Sequence, residues 1–235
     1  MTTSRKESQA WSVLIVSTLA FTVCFMVWMM FGVIGIPIKK MLNLNATEFG
    51  LLTATPVLSG SLIRVPLGIW TDKYGGRIVM TILMALTVPA IWLMSYATVY
   101  WHFLVIGLFV GLAGGSFSVG TPYVARWFPK GKQGMAMGVY GAGNSGSAVN
   151  KFIAPALLVS FGWAVVPQVY AAVMLGTVVL FWFFSYSDPT HLVATNVTFS
   201  EQLKALKDPK VVKYCQYYSI VFGGYVALAL WMVQY

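Results

Sequence analysis

Charged residues are scarce in this chain of 235 residues, and acidic residues are the scarcest of all. Only 9% of the residues are charged, and 6 acidic residues stand against 15 lysines and arginines. Soluble globular domains carry about 25% charged residues, so that class is excluded. Most of the basic residues lie in short segments between apolar stretches. This distribution is typical of membrane topology and not of a nucleic-acid-binding surface.

Cysteine and histidine are also rare, with two of each in the chain. Their positions have no spacing typical of a metal site, a disulfide framework or paired haem ligands. We therefore expect no metal and no cofactor. An intramembrane enzyme would need a nucleophile beside a base, or metal ligands, and the sequence has neither pattern. A sensor would need an attached soluble domain, which the sequence does not contain.

Apolar residues make up 58% of the chain, and several apolar runs reach the ~20 residues that cross a bilayer as a helix. The first run is too long for a signal peptide and lacks a small-residue cleavage site. The pattern predicts spanning helices at 11–37, 48–71, 78–97, 101–125, 134–160 and 163–186, with a seventh from Val211 to the end. We expect an all-α polytopic membrane protein, with a six-helix bundle at 1–186, a polar cytoplasmic linker at 187–210 and the start of a second bundle at 211–235.

Charge asymmetry predicts the orientation of these helices. A cytoplasmic N-terminus places most basic residues inside, namely Arg5, Lys6, Lys73, Arg77, Arg126, Lys130, Lys132, Lys204, Lys207, Lys210 and Lys213. Lys39 and Lys40 lie outside, and Arg64 and Lys151 fall within spans.

In the linker, FSEQLKALKD predicts a short amphipathic helix capped by Ser200. A two-bundle transporter needs roughly five more helices, so we expect a fragment or a truncated product that lacks its second six-helix half.

The segment GIWTDKYGGR, residues 68–77, joins the second and third predicted spans. Gly75 and Gly76 suit a tight turn, Gly68 suits close helix approach, and Asp72 can accept hydrogen bonds from a helix end or from a base across the bundle. Arg77 closes the motif. This pattern resembles the loop signature of the major facilitator superfamily, although an ordinary charged hairpin is the alternative. The resemblance implies a transporter fold and no particular substrate.

Arg64 lies in the middle of the second predicted span. A charge at that depth costs a few kcal/mol and normally faces a cavity or a partner. The acidic residues all fall in loops or at helix boundaries: Glu7, Glu48, Asp72, Asp188, Glu201 and Asp208. With no acid in the core, the counter-ion of Arg64 is a substrate anion or lies beyond this chain. A structural arginine bonded to helix carbonyls is the alternative. The charge balance favours an anionic substrate, which the planar guanidinium suits.

The fifth predicted span carries polar residues on one face. Tyr140, Asn144, Ser147 and Lys151 follow one another at helical spacing, so we expect this face to point into the bundle. Small residues at near-helical spacing in the same span permit close helix packing: Gly134, Gly138, Gly141 and Ala142. Packing does not account for Asn144, which brings an amide into hydrocarbon.

The segment QGMAMGVYGAGNSGSAVNKFIAPAL, which includes Gly138, Gly141, Gly143 and Gly146, is similar to the glycine-rich signature of the nitrate/nitrite porter family within the same superfamily. The preceding GLAGGSFSVGTPYVARWFPKGKQG and the later YYSIVFGGYVALALW resemble that family as well. The resemblance extends over essentially the whole chain. It implies a multi-pass protein of the bacterial inner membrane whose partners are nitrate or nitrite, protons and the lipid bilayer.

The resemblance also implies the site residues. Arg64 matches the family's anion-binding arginine, and Asn144 matches the signature asparagine. Phe117, Tyr218 and Phe222 match aromatic residues beside the anion, although packing is the alternative for each of them. Ring walls suit nitrate, which is planar and weakly hydrated.

Two departures from the family pattern bear on the mechanism. A second arginine, which the family contributes from its other half, is not in this chain. Lys151 follows the signature where many exchanger-type members carry an uncharged polar residue. In this respect the sequence resembles the symporter branch, which favours nitrate/proton symport with Lys151 as a titratable group. The alternative is that Lys151 points to a polar outer cavity. Nitrate/nitrite antiport, transport of another small anion and a non-functional half-length product remain as alternative functions.

Overall fold

The computed structural model describes residues 3–187 and 207–232, and the regular elements in those ranges are all helical. The α-helices are α1 (Thr3–Trp28), α2 (Phe31–Met41), α3 (Ala46–Leu62), α4 (Arg64–Tyr74), α5 (Gly76–Met94), α6 (Tyr100–Gly111), α7 (Ser116–Trp127), α8 (Gln133–Gly141), α9 (Gly146–Phe161), α10 (Val165–Phe184) and α11 (Pro209–Trp231). Short 3₁₀ turns occupy Leu112–Gly115, Lys130–Lys132 and Ala142–Ser145. The all-α prediction is confirmed. The amphipathic helix predicted for the linker lies mostly outside the described residues.

Five helical stretches in the described ranges are long and apolar enough to cross a bilayer: Lys6–Met41, Ala46–Tyr74, Gly76–Met94, Tyr100–Trp127 and Val165–Phe184. The other two predicted spans, at 134–160 and from 211 onward, are also helical. They are less apolar because glycine, serine and asparagine dilute the first, while tyrosine, lysine and glutamine dilute the second. Their polar residues need partners inside the protein, since lipid offers none.

Several predicted spans are not single helices. The first is interrupted at Met29 and Met30, and the second at Ile63. Pro66 accounts for the second break, because proline has no N–H to bond the carbonyl four residues back and its ring crowds that carbonyl. Arg64 therefore begins α4 at a helix joint instead of sitting within one continuous helix.

The remaining breaks follow glycine. The Leu112–Gly115 turn separates α6 from α7, and the Ala142–Ser145 turn separates α8 from α9. Gly75 ends α4 with φ of +86°, and Gly162 ends α9 with φ of +84°. L-residues with a side chain rarely adopt this backbone conformation, so glycine suits both positions.

Helix α1 lies at the centre of the bundle. It packs against α7, α9, α10 and the Ala142–Ser145 turn. Its side chains Phe21, Phe25 and Trp28 are almost fully buried. Large apolar side chains on the outer faces are exposed instead, among them Ile15, Leu58, Leu62, Ile82 and Leu86. Exposed apolar side chains of this kind are expected where the outer surface of a helix bundle faces lipid.

Candidate functional site

Arg64 lies half-buried at the joint between α3 and α4. Its guanidinium carbon is 5.0 Å from the ring centroid of Phe222 and 5.7 Å from that of Trp28. The guanidinium also interacts with the hydroxyl of Tyr218. Within the described part of the chain, its buried Nε has no hydrogen-bond partner. The cation is therefore held by ring faces and one hydroxyl, with donor capacity left over.

No described carboxylate pairs with Arg64, because the four in residues 3–187 and 207–232 are engaged elsewhere. Asp72 accepts a hydrogen bond from Arg126, and Glu48 caps α3 through Asn45. Glu7 lies 3.6 Å from the Nζ of Lys132, and Asp208 caps α11. An unpaired arginine among helices is the electrostatic feature expected of an anion site.

Aromatic rings surround this position. Tyr218 and Phe222 stack with centroids 5.2 Å apart, and the ring of Phe117 lies 6.2 and 6.5 Å from theirs at interplanar angles near parallel. The structure therefore brings together four of the residues predicted for the site: Arg64, Phe117, Tyr218 and Phe222. Trp28 is a fourth aromatic ring beside Arg64, and the sequence analysis did not predict it.

Trp28 is fixed from three sides. Its Nε1–H donates to the carbonyl of Pro56 over 2.9 Å, and its ring lies directly against Gly60 and Gly114, where a Cβ would overlap it. Gly60 and Gly114 are far apart in the sequence, and only the structure shows that both lie against the same indole ring. The immobile ring beside Arg64 limits where the guanidinium can go.

The predicted polar face of the fifth span is only partly correct. Tyr140 and Ser147 are buried and Asn144 is half-buried, but Lys151 is exposed. The reason is the Ala142–Ser145 turn. A 3₁₀ turn advances about 120° per residue against about 100° in an α-helix, so four such residues rotate everything after them by about 80°. Lys151 is turned off the inner face, and Asn150 takes its place.

Asn150 is the polar residue of this span that the sequence reasoning missed. It is buried, its Nδ2 donates to the carbonyl of Met29 over 2.9 Å, and its Oδ1 accepts from the hydroxyl of Tyr170 over 2.7 Å. This network joins α1, α9 and α10 at the point where α1 is interrupted. The network gives a hydrogen-bond donor to the Met29 carbonyl, which lies at the break in the helix and would find no partner in lipid.

Asn144 lies in the Ala142–Ser145 turn. Its Nδ2 donates to the carbonyl of Gly141 over 2.8 Å, while its buried Oδ1 has no hydrogen-bond partner among the described residues. Its own carbonyl accepts from the hydroxyl of Tyr225 over 3.2 Å, and that hydroxyl lies 2.5 Å from Ser147 Oγ. Tyr225 was also missed, although it follows Phe222 by one helical turn.

The glycines of this span divide into two groups. A Cβ at Gly143 would overlap the ring of Phe21, and one at Gly146 would overlap the carbonyl of Thr22. These two permit the close approach of α1. A Cβ at Gly134, Gly138 or Gly141 would meet no described atom within 4 Å, so the close packing expected there is not found in the described chain.

The 68–77 hairpin ties four helices together at one end of the bundle. Asp72 at the end of α4 pairs with Arg126 at the end of α7. Arg77 donates to the carbonyl of Trp182 over 2.7 Å and lies 4.4 Å from the centroid of its ring. Gly76 lies against Tyr123, where a Cβ would overlap the ring, but Gly68 has open space. The close approach expected at Gly68 is therefore wrong for the described chain.

The chain is 40% identical over 95% of its length to a probable nitrate/nitrite antiporter of Thermus thermophilus, of which it covers 53%. It is 32% identical over 93% of its length to the nitrite extrusion protein of Bacillus subtilis, of which it covers 55%. The chain thus spans about half the length of these curated relatives. Their names describe transporters and not enzymes, in agreement with the sequence analysis.

A solved structure also matches the fold. It is a bacterial homolog of the human lysosomal transporter Spinster in an inward-facing, unoccupied conformation, with a TM-score of 0.72 at 18% identity, covering 96% of this chain and 55% of that one. The sequence model described as the Major Facilitator Superfamily matches residues 16–235. The chain therefore belongs to the major facilitator superfamily.

Proposed function

We propose that this chain forms one side of the anion site of a nitrate/nitrite transporter in the bacterial cytoplasmic membrane, and that transport proceeds by alternating access. The six-helix bundle, the linker and the start of a second bundle would be the parts that move relative to one another. Arg64 carries the proposal, because it is a half-buried cation with an unpartnered Nε and no described carboxylate beside it. The names of the relatives from Thermus thermophilus and Bacillus subtilis support nitrate and nitrite as the anions.

In this proposal each residue has a physical role. Arg64 binds two oxygens of the planar anion through its fork of N–H donors. Tyr218 adds a hydroxyl donor. Its oxygen accepts from the Arg64 guanidinium, and its O–H group can donate to the anion. The rings of Phe117, Phe222 and Trp28 exclude water around the anion and match its flat shape. Asn144 contributes its amide at the edge of the route.

Replacing Arg64 with lysine tests the site. A lysine keeps the charge but loses the bidentate geometry, so we expect nitrate to bind at least tenfold more weakly. Binding is measured calorimetrically on the purified protein at its full natural length. Lys40→Gln, which removes an exposed cation near the end of α2, serves as the control and should bind nitrate normally. Unchanged affinity in Arg64→Lys would overturn the assignment.

For the energy source, we propose nitrate/proton symport, because the glycine-rich signature is followed by the basic residue Lys151, whose side chain is exposed and not on the inner face. Nitrate/nitrite exchange is the second candidate. It is supported by the name of the Thermus thermophilus relative and by the exposed side chain of Lys151, which lacks the burial that a coupling residue was expected to have.

Proteoliposomes separate the two modes of coupling. Nitrate uptake is measured with and without a pH gradient, and with and without nitrite inside. Symport predicts uptake driven by the pH gradient into nitrite-free vesicles, and Lys151→Ala should reduce that dependence. Uptake that requires internal nitrite and ignores the pH gradient would replace symport with exchange.

A further inference from the structure

Helix α11 contacts the first bundle along its C-terminal part, from residue 218 to residue 230. Val226 and Leu230 are buried, and Leu230 packs against Gly32 at the start of α2. The first two turns of α11, residues 209–217, are almost entirely exposed. The described hydrogen bonds and ring contacts between α11 and helices α1–α10 begin at Tyr218. The described contacts of α11 with the first bundle therefore extend from residue 218 to residue 230, and we call the α2 end of this contact the closed side.

One compact polar contact lies in the closed region. The hydroxyl of Tyr225 is 2.5 Å from Ser147 Oγ and 3.2 Å from the carbonyl of Asn144, and Ser147 Oγ is 3.2 Å from the same carbonyl. Two hydroxyls and one carbonyl form a triangle in which each hydroxyl donates once. Whichever hydroxyl bonds the carbonyl, the other donates to its neighbour. The arrangement therefore fastens α11 to the Ala142–Ser145 turn and to α9.

The triangle lies next to the proposed anion site. Tyr225 follows Phe222 by three residues, about one turn of helix, and its ring stacks on Phe25 at 6.2 Å. Phe222 in turn lies over Arg64. Any motion that opens the α2 side must part α11 from α1 and α9, and the triangle must break when it does.

We propose that the Tyr225–Ser147–Asn144 triangle is a latch that holds the α2 side closed, and that its release is part of the opening step. The inference rests on the proposed alternating access. It adds a contact that stabilises the closed molecules relative to the open ones. Loss of the Tyr225 hydroxyl removes a hydrogen-bonding group that only the closed state uses. The ratio of open to closed molecules should then rise about threefold to tenfold.

Spin-label distance measurements test the latch. Labels are placed at Lys40→Cys and Met232→Cys, both exposed at the closed end, in the full natural-length protein with Cys215→Ser. We expect a longer-distance population to grow in Tyr225→Phe and in Ser147→Ala. The double variant should open little more than Tyr225→Phe, because Tyr225→Phe removes both hydrogen bonds of α11 to the triangle. Ser147→Ala alone should open less, because the bond from Tyr225 to the Asn144 carbonyl remains. Tyr217→Phe is the matched control, since that tyrosine lies on the exposed part of α11.

Two results would overturn the latch. One is an unchanged distance distribution in Tyr225→Phe and Ser147→Ala. The other is an equal shift in Tyr217→Phe, which would show that the triangle has no special role. The measurements are made without any anion, so they do not depend on whether nitrate binds. A protein that fails to bind nitrate but opens in Tyr225→Phe would contradict the proposed substrate and leave the latch standing.

Discussion

Arg64 and Asn150 are both polar side chains within helices of a membrane bundle, yet their surroundings differ. Asn150 uses its amide nitrogen and its oxygen on protein groups, the Met29 carbonyl and the Tyr170 hydroxyl. Arg64 keeps an unpartnered Nε and lies among ring faces in the described chain. Asn150 therefore has a structural role, whereas the charge and unused donors of Arg64 make it the candidate for binding a ligand.

Removing the Asn150 amide should destabilise the fold without changing anion affinity. In Asn150→Ala the buried Tyr170 hydroxyl loses its acceptor, and an unsatisfied buried group costs about 1–3 kcal/mol. Thermal unfolding in detergent, followed alongside nitrate binding, measures both effects. The adjacent exposed residue provides the control Lys151→Ala, which should unfold like the wild type. A normal unfolding temperature for Asn150→Ala would mean that the network contributes little.

Charge and family resemblance were enough to single out Arg64, Phe117, Tyr218 and Phe222 from the sequence. Trp28, Asn150 and Tyr225 could not be found in this way. Each is ordinary in its own segment and gains its role from a partner more than 20 residues distant, such as Pro56 for Trp28 and Met29 for Asn150.

At the scale of the helices, the breaks organise the site. Pro66 places Arg64 at a helix joint, and the Ala142–Ser145 turn sets which residues of the fifth span face inward. Hydrophobic periodicity predicts the spans, but the prediction of the inner face treated each span as an unbroken helix. Lys151 was therefore placed on the inner face. A rotation of about 80° within four residues is invisible to a period calculated over a whole span.

Two alanine substitutions in the same span should have opposite outcomes. Gly146→Ala would press a Cβ into the carbonyl of Thr22, a rigid backbone atom of α1, and forced overpacking costs about 1–3 kcal/mol. Gly138→Ala meets open space in the described chain and gains helix propensity of up to about 1 kcal/mol. Unfolding temperatures of the two variants are compared directly. Equal destabilisation would show that Gly138 also has a packing partner.

At the scale of the whole molecule, the distribution of basic residues predicts how the bundle sits in the membrane. A cysteine in place of Lys40 should react with a membrane-impermeant maleimide added outside intact cells. A cysteine in place of Lys132 should react only after permeabilisation. Both are tested in a Cys215→Ser background, because Cys24 is buried. The reverse pattern of labelling would invert the predicted topology.

The ring contacts of Arg64 have a consequence for turnover. In the proposed site, a carboxylate counter-ion would compete with each arriving anion, whereas the faces of Phe222 and Trp28 carry no charge that could compete. Their electron-rich π clouds weaken the electric field of the cation by a modest amount, of the order of 1 kcal/mol for each ring. In the proposed site, a cation with a weakened field would hold a monovalent anion less tightly, and weaker binding favours the release that a carrier needs.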